Sequence, residues 1–336
     1  MKSIARACAL ILAALTVSAS ATPTARTLTL GAYTTPREAY GKAIIPAFQR
    51  YWKQKTGQEV RFQESYLGSG AQARAIVGGF EADVAALSLE ADVDTLAKAG
   101  LIQRDWRAGP GRGMVSRSVV VLAVRQGNPK AVRDWDDLRR KGLEVLTPNV
   151  RTSGGAKWNV CALYGAALRG GTGAKKGDGA AASALLTDVL RNVTVMDKGA
   201  RESMINFEKG VGDVAITYEN EVLVGRKSGE TYEYVVPRAT ILIENPAAVV
   251  DRYADKHGNR DVAEAFVAFL ATPEAQRAFA EYGLRPVDAG VARETAGKFP
   301  AVRDLFSIRD LGGWAQVDKS LFAPDGVYER AMAAAR

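Results

Sequence analysis

Residues 147–158, which read TPNVRTSGGAKW, are the part of this sequence best suited to binding chemistry. They follow an aliphatic run that ends at Leu146 and precede an apolar run with helical spacing, which predicts a strand-to-helix turn. Gly154 and Gly155 leave their backbone N–H groups uncovered, and Ser153 stands at the N-cap position. Because a helix N-terminus carries partial positive charge, this turn is predicted to bind an anion without a metal or cofactor.

Two other small-residue turns stand before runs with helical spacing. Ser69 lies in a Gly-Ser-Gly turn, and Ala200 follows a glycine. Three such helix N-termini could converge on one small anion. A Ser-Gly-Gly sequence before a helix is also common in loops that bind nothing, so the motif alone leaves both readings open.

The N-terminal residues are typical of a secretory signal peptide, predicted to span residues 1–21. Lys2 and Arg6 form a basic region, an apolar run over 7–17 follows, and a small-residue cleavage site ends at Ala21. No later apolar run approaches the roughly 20 residues that a membrane-spanning helix needs. We therefore expect an exported, periplasmic protein.

Charge and cysteine content exclude several classes of protein. The net charge of +8 falls to +6 once Lys2 and Arg6 are removed, and the basic residues are scattered rather than clustered. Nucleic-acid binding is therefore not predicted. Removal of the signal peptide also removes Cys8 and leaves Cys161 as the single cysteine, which we interpret as a buried, inert thiol.

Strand and helix patterns alternate along the chain, which predicts an α/β fold with a mostly parallel sheet and helices on both faces. A glycine-rich break at 109–113 and the Asn-Pro pair at 245–246 are interpreted as crossings between two lobes. Lobe one is predicted to comprise 22–114 and 246–336, and lobe two 115–245. Small-residue turns at the strand ends of both halves predict a ligand in the cleft between them.

In this order and spacing, several segments resemble the periplasmic sulfate-binding and thiosulfate-binding proteins of ABC importers. The segments are 33–40, 65–75, 81–84, 127–130, 134–138, 147–159, 199–201, 210–214 and 219–221. The resemblance implies a two-lobed class II solute-binding fold that holds a dehydrated dianion by neutral donors. It also implies a membrane permease as partner and no cofactor.

The resemblance further implies which residues bind the ligand. Backbone N–H groups and one hydroxyl are the expected donors, from Thr34, Ser69, Gly154, Gly155, Ala200 and the side chain of Ser153. Tyr218, which ends the strand pattern 213–218, stands where these proteins have a tryptophan whose indole N–H donates to the anion. Since a phenol can accept as well as donate, we expect Tyr218 to set ligand choice, narrowing discrimination between anions by about 1–3 kcal/mol.

Two other functions fit parts of the sequence. The same fold could bind another oxyanion, such as molybdate or phosphate, or an organic sulfonate. A hydrolase could use Ser153 as nucleophile, or Glu38, Glu219 and Glu221 as acid and base. The sole histidine, His257, lies in a polar stretch and is interpreted as ordinary surface, so neither a serine–histidine pair nor a zinc site is predicted. We expect a monomeric binding protein, not an enzyme.

Overall fold

The computed structural model describes residues 25–336, so the predicted signal peptide and Cys8 lie outside the described residues. The described chain contains ten strands, namely β1 Arg26–Tyr33, β2 Val60–Leu67, β3 Val84–Ala86, β4 Met114–Val124, β5 Val145–Leu146, β6 Val193–Val195, β7 Val214–Tyr218, β8 Glu233–Val235, β9 Ala239–Val249 and β10 Asp304–Phe306.

The α-helices of the described chain are α1 Arg37–Ala39, α2 Ile45–Thr56, α3 Ser69–Val77, α4 Glu90–Lys98, α5 Gly154–Leu168, α6 Gly179–Arg191, α7 Ala200–Glu208, α8 Glu219–Lys227, α9 Asp251–Lys256, α10 Arg260–Leu270, α11 Pro273–Glu281, α12 Ala289–Glu294, α13 Gly313–Val317 and α14 Val327–Ala335. A π-helical turn, Tyr40–Ile44, joins α1 to α2.

The strands form one hydrogen-bonded path in the order β2-β1-β3-β9-β4-β7-β5-β6. Pairing is parallel at one end, where β1 lies between β2 and β3, and again at the other, where β5 lies between β6 and β7. The long strands β4 and β9 pair antiparallel in the middle, and each reaches into both halves. The predicted α/β architecture is therefore confirmed, and we propose that β4 and β9 are the crossings between a first and a second lobe.

Strand β9 runs through Pro246, where the sequence suggests a break. Proline has no N–H for a strand ladder and is tolerated mainly at edges and bulges. Here Pro246 pairs with Met114 beside a register shift in β4, and its carbonyl accepts a hydrogen bond from Leu87 N at 3.0 Å. The break in the pattern therefore marks an irregularity within one crossing strand.

The C-terminal segment packs on the second lobe. Strand β10 pairs with residues 239–241 of β9, and α14 packs against α6. Trp314 lies edge-on to Trp158 of α5, with ring centroids 4.7 Å apart. We therefore propose that the segment from about residue 304 to the C-terminus belongs to the second lobe, whereas the sequence analysis places all of 246–336 in the first.

Each lobe has its own apolar core. In the first, Phe48 of α2 contacts Phe266 and Phe269 of α10, with centroids 5.0 and 5.5 Å away. In the second, Trp135 and Cys161 are completely buried. The interpretation of Cys161 as buried is confirmed, and burial raises the pKa of its thiol well above the ordinary value, which keeps the group protonated.

His257 follows α9 and lies at the surface, but two carboxylates hold its ring. Its Nδ1 is 2.8 Å from Asp83 Oδ1, and its Nε2 is 2.9 Å from Glu81 Oε2. Asp83 is fully buried, and its second oxygen accepts a hydrogen bond from Thr29 N at 2.7 Å. The ring thus ties the end of α9 to the start of β3.

We expect the contribution of His257 to stability to depend on pH. Partial burial lowers its pKa, but the hydrogen bonds and charges of Asp83 and Glu81 outweigh that effect and raise the pKa above 6.5. A raised pKa means that the stabilisation is complete below the unfolded pKa of about 6.5 and is lost as pH rises through the folded pKa. Urea unfolding of the native protein and His257→Gln from about pH 5 to about pH 9 should show a stability difference that shrinks with pH. A difference that grows with pH would contradict this prediction.

Candidate functional site

Three helices begin at the small-residue turns that the sequence singles out. Helix α3 begins at Ser69, α5 at Gly154 and α7 at Ala200, and the predicted helix N-termini are confirmed. Ser153 is the N-cap of α5, because its Oγ accepts a hydrogen bond from Ala156 N at 3.3 Å. The N–H groups of a first helical turn have no intrahelical partner, so each helix offers free donors at this end.

Gly155 shows how closely the second-lobe elements meet. A methyl group in place of its hydrogen would lie 2.8 Å from Tyr218 Cε2 and 3.3 Å from both Ala200 Cβ and Ser153 Oγ. The end of β7, the start of α5 and the start of α7 therefore border one small space. Only glycine leaves room for that approach.

The turns of the first lobe lie against those of the second. A methyl group on Gly68 would be 2.5 Å from Thr152 O and 2.7 Å from Lys198 O, and one on Gly199 would be 3.4 Å from Thr34 Oγ1. These approaches link the lobes directly, so the cleft is closed. All seven residues predicted for the site are buried at this junction, namely Thr34, Ser69, Ser153, Gly154, Gly155, Ala200 and Tyr218. Their role in binding stays a prediction.

The two serine hydroxyls of the site differ in what they can still donate. Ser153 Oγ accepts from Ala156 N, so its proton remains available to a ligand. Ser69 Oγ accepts from Ser88 N at 2.9 Å and donates to Asp92 Oδ2 at 2.5 Å, so its hydroxyl is fully engaged. Ser69 is left with its backbone N–H, which is the group that the resemblance implies.

Tyr218 is the last residue of β7, and its hydroxyl contacts Ser88 from the other lobe. The Tyr218 Oη and Ser88 Oγ atoms are 2.6 Å apart, and both residues are almost completely buried. Burial raises the pKa of the Tyr218 phenol far above 10, so the group is neutral. Ser88 is not among the residues predicted for the site from the sequence. Its position after the parallel strand β3 and before α4 is the same strand-end signal that identified Tyr218.

The three carboxylates considered as acid and base are paired with arginines. Arg201, the second residue of α7, donates from Nη2 to Glu38 Oε2 at 2.8 Å across the lobes, and its Nε lies 3.1 Å from Glu221 Oε2. Burial raises the pKa of Glu221 to about 7, although the charge of Arg201 opposes that rise. Glu219 forms a two-point ion pair with Arg285, at 2.6 and 2.9 Å. Arg201 thus contacts two of these carboxylates, one from each lobe, and Arg285 contacts the third.

A polar cavity of about 580 Å³ lies beside the junction and is lined by Gly70, Arg74, Asp92, Thr152 and Lys157, among others.

Within residues 25–336, no cluster of three His, Cys, Asp or Glu side chains has the arrangement of a metal site. In the same described part, no helix combines the length and apolarity required to cross a membrane.

Comparison with known proteins matches residues 28–285 to the family model described as bacterial extracellular solute-binding protein. The chain is 45% identical to a sulfate-binding protein of Synechococcus elongatus over 309 residues, which cover 91% of this chain and 87% of the relative. It is 36% identical to a thiosulfate-binding protein of Pseudomonas aeruginosa, with 89% and 90% covered.

A similar solved structure is the sulfate-binding protein SubI from Mycobacterium tuberculosis H37Rv. The two chains superpose with a TM-score of 0.80 at 39% identity, over 88% of this chain and 98% of the other. The similarity therefore extends over both lobes.

Proposed function

This chain belongs to the sulfate-binding and thiosulfate-binding group of the bacterial extracellular solute-binding proteins, and we propose on that premise that its cleft captures sulfate or thiosulfate through neutral hydrogen-bond donors. It is a solute-binding protein of an ABC importer and not an enzyme, as the relatives that it matches over most of their length are sulfate-binding proteins. We further infer that it works in the periplasm as a monomer after cleavage at Ala21.

The observation that carries the proposal is that three helix N-termini meet at the buried junction between the lobes, and that none of the seven predicted site residues is a lysine or arginine. A fully ionised dianion needs donors alone, and hydrogen bonds to a charged acceptor are about twice as strong as neutral ones. Backbone N–H groups supply such donors at fixed positions, and the helix N-termini add partial positive charge. This arrangement can replace the hydration shell of the anion.

The same donors would bind a protonated anion poorly. An anion that carries a proton, such as hydrogen phosphate, must also find an acceptor. None of the seven predicted site residues has a carboxylate that could accept this proton. A buried proton without an acceptor costs a few kcal/mol, so phosphate should bind much more weakly than sulfate.

We expect calorimetry of ligand-free protein to give sulfate or thiosulfate as the tightest ligand of a panel that also contains phosphate, molybdate and an organic sulfonate. Binding of phosphate or molybdate more tightly than both would favour another oxyanion as the ligand. An absence of any heat of binding across the panel would remove the proposal. Incubation with a sulfate ester is expected to give no hydrolysis above background, and turnover abolished by Ser153→Ala would favour the hydrolase instead.

A further inference from the structure

Ser88 is held in place by every polar group that it has. Its N–H donates to Ser69 Oγ at 2.9 Å, and its carbonyl accepts from Trp158 Nε1 and Asn245 Nδ2, both at 3.1 Å. Its hydroxyl oxygen lies 2.6 Å from Tyr218 Oη. The residue is fully buried, so these contacts fix its side chain against the second lobe.

The Ser88 hydroxyl also lies directly against the predicted donor helix. A methyl group on Gly154 would be 2.6 Å from Ser88 Oγ and 2.8 Å from Ser88 Cβ. The first residue of α5, Ser88 and Tyr218 are therefore neighbours, although Ser88 comes from the first lobe and the other two from the second. The hydroxyl pair exists only while the lobes are closed.

When one hydroxyl of a hydrogen-bonded pair faces an anion, the direction of the hydrogen bond between the two hydroxyls is fixed. The hydroxyl that faces a fully ionised anion must donate to it, so its oxygen can accept only from the other hydroxyl. With Tyr218 facing the anion, Ser88 donates to Tyr218 Oη and the phenol proton points to the ligand. Both protons are then used, and no polar atom of the pair is left unsatisfied.

The reverse direction leaves one proton without an acceptor. If Tyr218 accepted a proton from a ligand, its own proton would point to Ser88, and the Ser88 proton would need a further acceptor. Among the hydrogen bonds of residues 25–336, Ser88 Oγ has Tyr218 as its partner and no other. Ser69 Oγ, the nearest hydroxyl in this chain of bonds, already accepts from Ser88 N and donates to Asp92.

We propose that Ser88 is a specificity-determining residue of the anion site, because its hydroxyl commits the Tyr218 phenol to donation and so excludes oxyanions that carry a proton. The inference rests on the proposed function, since it requires an oxyanion beside Tyr218. The pairing with Ser88 changes the expectation from the sequence that Tyr218 narrows discrimination between anions. A lone phenol can donate or accept, whereas a phenol paired with Ser88 acts as a donor, as an indole N–H does.

The test is calorimetry of sulfate and phosphate binding at one fixed pH for the native protein, Ser88→Asn, Tyr218→Phe and the double variant. The asparagine amide can either donate to the phenol oxygen or accept the phenol proton, so Tyr218 becomes able to accept from a protonated anion without leaving a proton unpaired. Ser88→Asn should therefore reduce the ratio of sulfate to phosphate affinity about ten-fold, the effect of one hydrogen bond to a charged group. In the Tyr218→Phe background the same change should leave that ratio unaltered. Equal effects of Ser88→Asn in both backgrounds, or an unchanged ratio in Ser88→Asn, would overturn the inference.

Thr295→Val is the matched control. Thr295 is also buried, and its Oγ1 donates to Val291 O of α12 at 2.7 Å, away from Ser88 and Tyr218, so loss of this hydroxyl should leave the anion ratio unchanged. Should Ser88→Asn not fold, Tyr218→Trp provides the second test. An indole only donates, so this variant should keep the native ratio while Tyr218→Phe lowers it, and a native ratio in both would overturn the inference. Failure of the native protein to bind sulfate would instead refute the proposed function.

Discussion

Gly154→Ala is expected to lower sulfate affinity by at least about 100-fold while both lobes remain folded. The added methyl group would lie 2.6 Å from Ser88 Oγ, 2.8 Å from Ser88 Cβ and 3.1 Å from Leu89 Cγ, all in the other lobe. Because Ser88 is fixed by its own hydrogen bonds, relief of the clash requires the lobes to separate. Overpacking of this kind costs about 1–3 kcal/mol, and the displacement of the Gly154 N–H from the anion adds to that cost.

The control for this substitution is Gly179→Ala. Gly179 is also the first residue of a helix, α6, and follows a capping Asp178, but a methyl group there would meet Tyr164 Oη at an ordinary 3.7 Å. The Gly179→Ala variant should bind sulfate with the affinity of the native protein. Calorimetry measures affinity, and thermal unfolding without ligand verifies that both variants are folded. Native affinity in Gly154→Ala would show that the closed contact at Ser88 is not needed for binding.

Ser153→Ala is expected to weaken sulfate binding by about 1.5–3 kcal/mol, which corresponds to roughly 10-fold to 150-fold in Kd. The Ser153 hydroxyl accepts from Ala156 N and therefore has its proton free for the anion. Loss of the same hydroxyl removes the N-cap of α5, which should reduce the free energy of unfolding by about 1 kcal/mol. The substitution thus affects both binding and stability.

Thr272→Ala separates these two effects. Thr272 caps α11 in the same manner, with its hydroxyl accepting from Ala275 N at 3.4 Å, and it belongs to the first lobe outside the site. We expect a comparable loss of stability in urea unfolding and no change in sulfate Kd. If Ser153→Ala also leaves Kd unchanged, Ser153 is a cap only and does not bind the ligand.

The local features of the site could be predicted from the sequence because their physical causes are local. Ser153 caps α5 because a serine hydroxyl can reach an N–H three residues ahead, and this requires no contact from elsewhere in the chain. The starts of α3 and α7 follow from the same rule of small residues before a helical pattern. Tyr218 was placed at the site by its position at the end of a strand, and β7 does end there.

Contacts between distant segments were decided by the tertiary structure. Ser88 and Tyr218 are 130 residues apart, and their hydrogen bond depends on how the lobes close, which no local pattern encodes. The sequence pattern of the C-terminal helices indicates an apolar face, but it does not indicate which surface that face packs against. The tertiary structure shows that Trp314 packs on Trp158 of the second lobe. The sequence alone therefore predicts which groups donate to an anion. The tertiary structure decided that Ser88 packs beside one of the predicted donors, Tyr218, and this matters because a hydroxyl becomes a donor or an acceptor according to the group packed beside it.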